Sequence, residues 1–183
     1  TDEGAGFVNR HAFNAVVSDQ DMQETYLPAF RAVVAAGASG IMCSYNAING
    51  VPSCVNEAML RGVLRGDMGF EGIVATDCGA LNDADTKHNY STAVCPSCNT
   101  TQLRGEKIAQ LALQAGVNSN CGSFMGTYMP GVMARGMVDA STLHESTARL
   151  LTVRFKLGLF EPRGTPAIPR YGLGAVDSHA HRA

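Results

Sequence analysis

Helix-spaced apolar faces alternate along this chain with short unbroken apolar runs, and the order helix, glycine, apolar run, polar loop occurs three times. Ser18 with Asp21 three residues on is close to a capping box and predicts a helix start. Met22, Tyr26, Phe30 and Val33 then share one helical face, and Gly37 stops it. The run Gly40-Ile41-Met42-Cys43 follows and ends in the polar Ser44-Tyr45-Asn46. The second unit predicts a helix over 56–65, a break at Gly66 and Gly69, and a strand over 72–76 that leads straight into Asp77-Cys78-Gly79. In the third, a helix over about 102–114 stops at Gly116, and residues 117–121 form a weak strand. Two more helices are predicted over 124–137 and 141–157, and the tail from Pro162, rich in Pro and Gly, reads as an exit linker.

Strands apolar on both faces and alternating with helices predict parallel βα units, so the fold class is α/β. Polar residues gather where each apolar run ends, which is where α/β barrels keep their chemistry. Three strands do not close a barrel, and an eight-stranded one takes about 250 residues. The expectation is a partial (β/α)8 TIM-type barrel, roughly the last three βα units plus flanking helices.

Composition changes this picture little. With 183 residues, 45% hydrophobic and 16% charged, the chain is long enough for one domain with a core. A formal charge of -2 without any Lys/Arg block argues against nucleic acid and anionic membranes as partners. No apolar run approaches the roughly 20 residues that span a bilayer. The chain opens at Thr1 with no Met, so the lack of a leader there says little about compartment. The six cysteines, Cys43, Cys54, Cys78, Cys95, Cys98 and Cys121, favour disulfides over zinc, because no second Cys-x-x-Cys accompanies Cys95-Pro96-Ser97-Cys98. Sequons at Asn89 and Asn99 lie in the same polar stretch, which points to an oxidising, extracellular setting.

Asp77 is the leading catalytic candidate. An Asp after a strand is often a helix cap or turn residue. Here it follows four apolar residues, at the mouth of a rigid element, which suits a nucleophile that attacks from one fixed side. Tyr45 holds the matching place on the preceding strand, where its hydroxyl contacts a sugar or the nucleophile, or is simply satisfied in the core. Asn49-Gly50 has the composition of a tight turn. His11 and His88 are rim candidates, and Asp83 and Asp85 follow the nucleophile loop. Glu24 and Glu57 read as exposed helix charges, and His179 and His181 as an incidental pair near a terminus.

Several long segments carry a resemblance. Residues 42–54 (Met42-Cys43-Ser44-Tyr45-Asn46 through Pro52-Ser53-Cys54) and 64–78 (Leu64-Arg65-Gly66-Asp67-Met68-Gly69-Phe70 through Thr76-Asp77-Cys78) resemble barrel signatures of glycoside hydrolase family 3. Phe13-Asn14-Ala15-Val16-Val17-Ser18 and Glu24-Thr25-Tyr26-Leu27-Pro28-Ala29-Phe30 also match. The cysteine-bearing versions are most similar to the β-xylosidase and α-L-arabinofuranosidase branch. The resemblance implies that residues 1–161 are the C-terminal portion of the family's N-terminal barrel domain and that 162–183 lead toward a second domain.

By the same resemblance Asp77 is the nucleophile, with Tyr45, Met42 and Cys78 as substrate-binding residues. Cys43–Cys54 and Cys78–Cys121 are implied bridges, while Cys95 and Cys98 sit in an insertion and read as a local bridge. The implied chemistry is retaining double displacement on an oligo- or polysaccharide, without metal or cofactor. The resemblance implies that its acid/base comes from a second domain, which is expected to be absent from this chain. The family's Lys-His pair would lie just before Thr1, and family members commonly carry Asp where this chain has Asn118 and Asn120. A pentosidase is favoured over a β-glucosidase of the same family, because Cys78 stands where many glucosidases carry Trp. A catalytically incomplete fragment or sugar-binding remnant is the alternative of another class.

Overall fold

The computed structural model describes residues 9–162 and 172–182. The first helix, α1, runs through three consecutive segments, Asp19–Asp21, Met22–Tyr26 with π-type hydrogen bonding, and Leu27–Ala35. Ser18 caps it, accepting from the Asp21 amide at 3.0 Å and donating to its carboxylate at 2.8 Å. Pro28 explains the widened stretch, since it offers no N–H to the preceding turn and its ring crowds the carbonyl there. Gly37, with φ of 86°, ends the helix in a Schellman arrangement, Ala38 N–H donating to Val33 O and Gly37 N–H to Val34 O.

Strands β1 (Asn14–Ala15), β3 (Ala47–Ile48) and β4 (Val51–Pro52) form a small sheet, β1 parallel to β3 and β3 antiparallel to β4. Asn49 and Gly50, at φ of 48° and 85°, make the two-residue β3–β4 turn with left-handed backbone at both positions. The second sheet pairs β2 (Gly40–Cys43) with β5 (Ile73–Thr76) in parallel, from Gly40 opposite Ile73 to Cys43 opposite Thr76. The predicted third strand is reduced to one parallel bridge, Ala75 to Ser119. Hydrogen bonds from Asn118 N–H to Val74 O and from Thr76 N–H to Ser119 O still hold that segment beside β5.

Helix α2 (Ala58–Asp67), also π-type, lies between β2 and β5, and it runs through Gly66 instead of breaking there. Between β5 and the third segment come α3 (Ala80–Thr86), α4 (Tyr90–Val94) and α5 (Thr101–Ala115). The first two fall in a stretch that the sequence pattern leaves as loop. Helices α6 (Phe124–Ala134) and α7 (Ala140–Lys156) follow as expected. In the tail, residues 163–171 lie outside the described residues; beyond them a 3-10 turn, Leu173–Ala175, and α8 (His179–Arg182) add helical structure to the predicted linker.

The core sits between β5 and α5. Val74, Leu81, Ala84, Ile108 and Ala112 are fully inaccessible, with Val117, Cys54 and Cys43 beside them. Helix α5 reaches α6 at close range: a Cβ on Gly105 would lie 2.3 Å from the Tyr128 ring. The apolar face of α1 departs from expectation. Leu27 is its buried residue, while Tyr26, Phe30 and Val33 remain about half exposed. Met22, Tyr26 and Phe30 instead line an apolar groove of about 440 Å³ that no described element fills.

Candidate active site

The end of β5 is fixed before any chemistry is considered. Thr76 is buried, and its Oγ1 accepts from Asn120 Nδ2 at 3.1 Å and from Cys121 N–H at 3.0 Å. Asp77 N–H donates to Cys43 O at 3.0 Å, so the residue is pinned to the end of β2, while its neighbours Thr76 and Gly79 donate to Ser119 O and Cys121 O of the third segment. Asp77 Oδ1 accepts from Cys78 N–H at 2.7 Å, and its carbonyl accepts from Ala80 N–H as α3 begins. Asp77 therefore combines a turn role with a half-buried carboxylate at a rigid strand end.

Tyr45 approaches from β2. Its hydroxyl donates to Cys78 O at 3.0 Å. Interaction with the neighbouring Asp77 carboxylate, followed by desolvation, raises the phenol above the ordinary tyrosine range. Arg10 opposes that rise and Asp83 adds to it. The Tyr45 carbonyl meets His88 Nε2 at 2.9 Å. Against the Tyr45 ring lies His11, with ring centroids 4.1 Å apart, and its Nδ1 is 2.7 Å from Asp83 Oδ2.

The three disulfides pair Cys43 with Cys54, Cys78 with Cys121, and Cys95 with Cys98. The second closes directly behind Asp77 and ties its loop to the third segment. Cys78 is exposed there beside Asp77 and Tyr45. Met42, the fourth candidate, points instead into the apolar groove with Phe13, Tyr26 and Phe30, and neither Asp77 nor Tyr45 lines that groove.

Among the other candidates, Asp83 approaches the site through His11, while Asp85 turns to Arg104, 3.4 Å away, and to Ser91. Glu24 and Glu57 are exposed on helices, as read from sequence. Asn89 and Asn99 are both exposed. Among the described residues no group of His, Cys, Asp and Glu could hold a metal ion, and no helix is long and apolar enough to cross a membrane. Sequence reasoning missed the link from His11 to Asp83, because 72 residues separate the two.

The opposite end of the strands is held by Arg65. Its guanidinium donates to the carbonyls of Phe70, Gly72 and Gly116 and to Asn118 Oδ1 at 2.8 Å. Burial, and then the positive charge of Arg149, pulls its pKa down to about 10. Asn118 and Asn120 are both satisfied as amides: Asn118 Nδ2 donates to Ser146 Oγ, and Asn120 Oδ1 accepts from Met125 N–H in the first turn of α6.

Known proteins are similar to this chain in sequence and in fold. The Emericella nidulans exo-1,4-beta-xylosidase bxlB is 38% identical over 161 residues, covering 86% of this chain and 20% of the relative. A solved family 3 exo-beta-xylosidase, XlnD in complex with a xylobiose aziridine probe, superimposes with a TM-score of 0.76 at 27% identity, covering 86% of this chain and 19% of that one. The Listeria innocua beta-glucosidase in complex with glucose gives a TM-score of 0.70 at 29% identity, over 81% and 19%. The chain spans about a fifth of the length of the curated relatives it matches. Residues 2–153 match the model of the glycosyl hydrolase family 3 N-terminal domain, and the chain belongs to that family.

Proposed function

We propose that this chain carries the nucleophile side of a retaining glycosidase site, used for exo-release of xylose or arabinose from xylan or arabinoxylan. One observation carries it: Asp77 follows the β5 strand, is tied to the end of β2 through its N–H, and lies beside the Tyr45 phenol. In the first step an Asp77 oxygen bonds to the anomeric carbon as the glycosidic C–O bond breaks, and a carboxylic acid protonates the departing oxygen. In the second, water attacks the anomeric carbon, the ester bond to Asp77 breaks, and the conjugate carboxylate takes the water proton. The Tyr45 phenol lies beside the attacking carboxylate, and Cys78 contributes to the wall around the sugar.

On this reading, residues 1–161 are the later part of a (β/α)8 barrel, and residues 162–183 lead to a second domain that supplies the acid. Three disulfides and two exposed sequons at Asn89 and Asn99 support an extracellular, glycosylated protein. A β-glucosidase activity is the second reading, favoured by the likeness to the Listeria innocua enzyme. Activated fluorosugars separate the two, because a dinitrophenolate leaves without acid assistance. Faster labelling of the chain by the dinitrophenyl 2-deoxy-2-fluoroxyloside than by the glucoside is the expected result. Faster labelling by the glucoside would replace the pentoside reading with the second.

A further inference from the structure

Tyr45 lies beside Asp77 at the end of the neighbouring strand, and its own orientation needs an explanation. A phenol at a strand end has two torsions free to swing, and one hydrogen bond to a carbonyl, here Cys78 O at 3.0 Å, does not fix the plane of its ring. Three further contacts do. His88 Nε2 holds the Tyr45 carbonyl at 2.9 Å, so the backbone is set. The His11 ring packs on the Tyr45 ring at a centroid distance of 4.1 Å and an interplanar angle of 43°, so the side chain is set on that flank. Asp83 then sets His11, because its carboxylate accepts from Nδ1–H at 2.7 Å while its own side chain is 11% exposed.

The segment that brings His11 there is itself anchored. His11 N–H donates to Asn9 Oδ1, and Ala12 and Phe13 N–H both donate to Asn9 O, which closes the turn. Immediately afterwards Phe13 O accepts from Ala47 N–H, and β1 pairs in parallel with β3, two residues beyond Tyr45. The Asn14 side chain accepts from Gly50 N–H at 2.7 Å. A histidine on a turn is usually solvated. This one is fixed at its backbone, at Nδ1 and on one ring face.

We propose that His11, held by Asp83, is a positioning residue that keeps the Tyr45 phenol against the Asp77 carboxylate. The proposal rests on the nucleophile reading of Asp77 for its catalytic consequence, but its geometric content is independent of turnover. The charged and titratable groups facing the phenol are Asp77 at the end of β5, Asp83 on α3, Arg10 and His11 from the segment before β1, and His88 after α3.

The test is the titration of Tyr45 in the whole chain, followed by ultraviolet difference spectra and assigned by its loss in Tyr45→Phe. His11→Asn places an amide N–H where Nδ1–H was, so Asp83 stays paired while the ring face is removed. The expected result is a Tyr45 titration that moves down toward the ordinary tyrosine range, with far-ultraviolet circular dichroism unchanged. His11→Phe returns an aromatic face and is expected to retain most of the upward shift. Labelling of Asp77 by the activated fluoroxyloside is expected to slow by roughly tenfold or more in His11→Asn, as for other small misplacements of reacting groups. A Tyr45 titration identical in His11→Asn and the unmodified chain overturns the proposal. So does a folded His11→Phe that has lost the shift, and this variant decides the matter if His11→Asn does not fold. Failure of the unmodified chain to take up label sinks the nucleophile reading instead, and leaves the phenol titration as the measure of His11.

Discussion

Replacing Asn118 with Asp probes the electrostatics at the base of the strands. Asn118 Oδ1 accepts from Arg65 Nη2 at 2.8 Å and from Val74 N–H at 2.9 Å, and its Nδ2 donates to Ser146 Oγ at 3.1 Å. A carboxylate of the same shape keeps both incoming donors, and the Ser146 hydroxyl turns to become a third. Arg65 stays charged at neutral pH, since its pKa is lowered only to about 10, and its four recorded hydrogen bonds all go to neutral acceptors. Bonds to a charged group contribute about 1.5–3 kcal/mol against about 0.5–1.5 for neutral ones. After the cost of desolvating the new carboxylate, Asn118→Asp should stabilise the protein by about 1–2 kcal/mol. For a chain of this size that raises the midpoint of thermal unfolding by roughly 2–8 °C. The pH dependence has a fixed sign. Three donors depress the folded pKa of the new Asp below its unfolded value of about 3.9. The gain is therefore fully present above that value and lost as pH falls through the folded pKa. Circular dichroism melts near neutral pH and in strong acid measure both. An unchanged or lower midpoint at neutral pH, or a gain that persists in strong acid, would refute the reasoning.

Val74 is fully buried on β5, and Val74→Ala removes two methyl groups from the core; a loss of roughly 1.5–3 kcal/mol by denaturant unfolding is expected, from transfer plus cavity terms. Gly105→Ala drives a methyl into the Tyr128 ring, and despite the better helix propensity of Ala it should cost about 1–3 kcal/mol by the same measurement. Tyr45→Phe removes the hydroxyl that donates to Cys78 O beside Asp77. Its rate of labelling by activated fluoroxyloside should fall roughly 10–100-fold, and an undiminished rate would remove Tyr45 from the site. Cys78→Ser with Cys121→Ser opens the 43-residue link behind Asp77; stability should drop by about 2–4 kcal/mol, with the labelling rate falling further than in Val74→Ala.

Strong local signals carried most of what was legible in the sequence. The Ser18 cap, the Gly37 stop and the Asn49-Gly50 turn are set by residues within a few positions of one another, and each lies where it was read. The runs at 40–43 and 72–76 are continuous and apolar, so β2 and β5 were visible, and with them the placement of Asp77 and Tyr45 at neighbouring strand ends. The two-residue strands β1, β3 and β4 have no period to detect, and α3 and α4 are too short and polar to show a helical face. The α1 face was correctly seen as apolar but not as unfilled, because burial depends on what packs against a face as well as on its composition. Distance along the chain hid the contacts of His11 and Arg65. Met42 shows a different limit, since its neighbours in sequence place it on β2 but do not say that it faces the groove.

The most direct test of the central claim is to treat the chain with a dinitrophenyl 2-deoxy-2-fluoroxyloside and locate the adduct by peptide mass mapping. A single fluoroxylosyl ester on Asp77, absent from Asp77→Ala, is the predicted result. An adduct on any other residue, or none while the chain is folded with its three disulfides closed, would contradict Asp77 as the nucleophile.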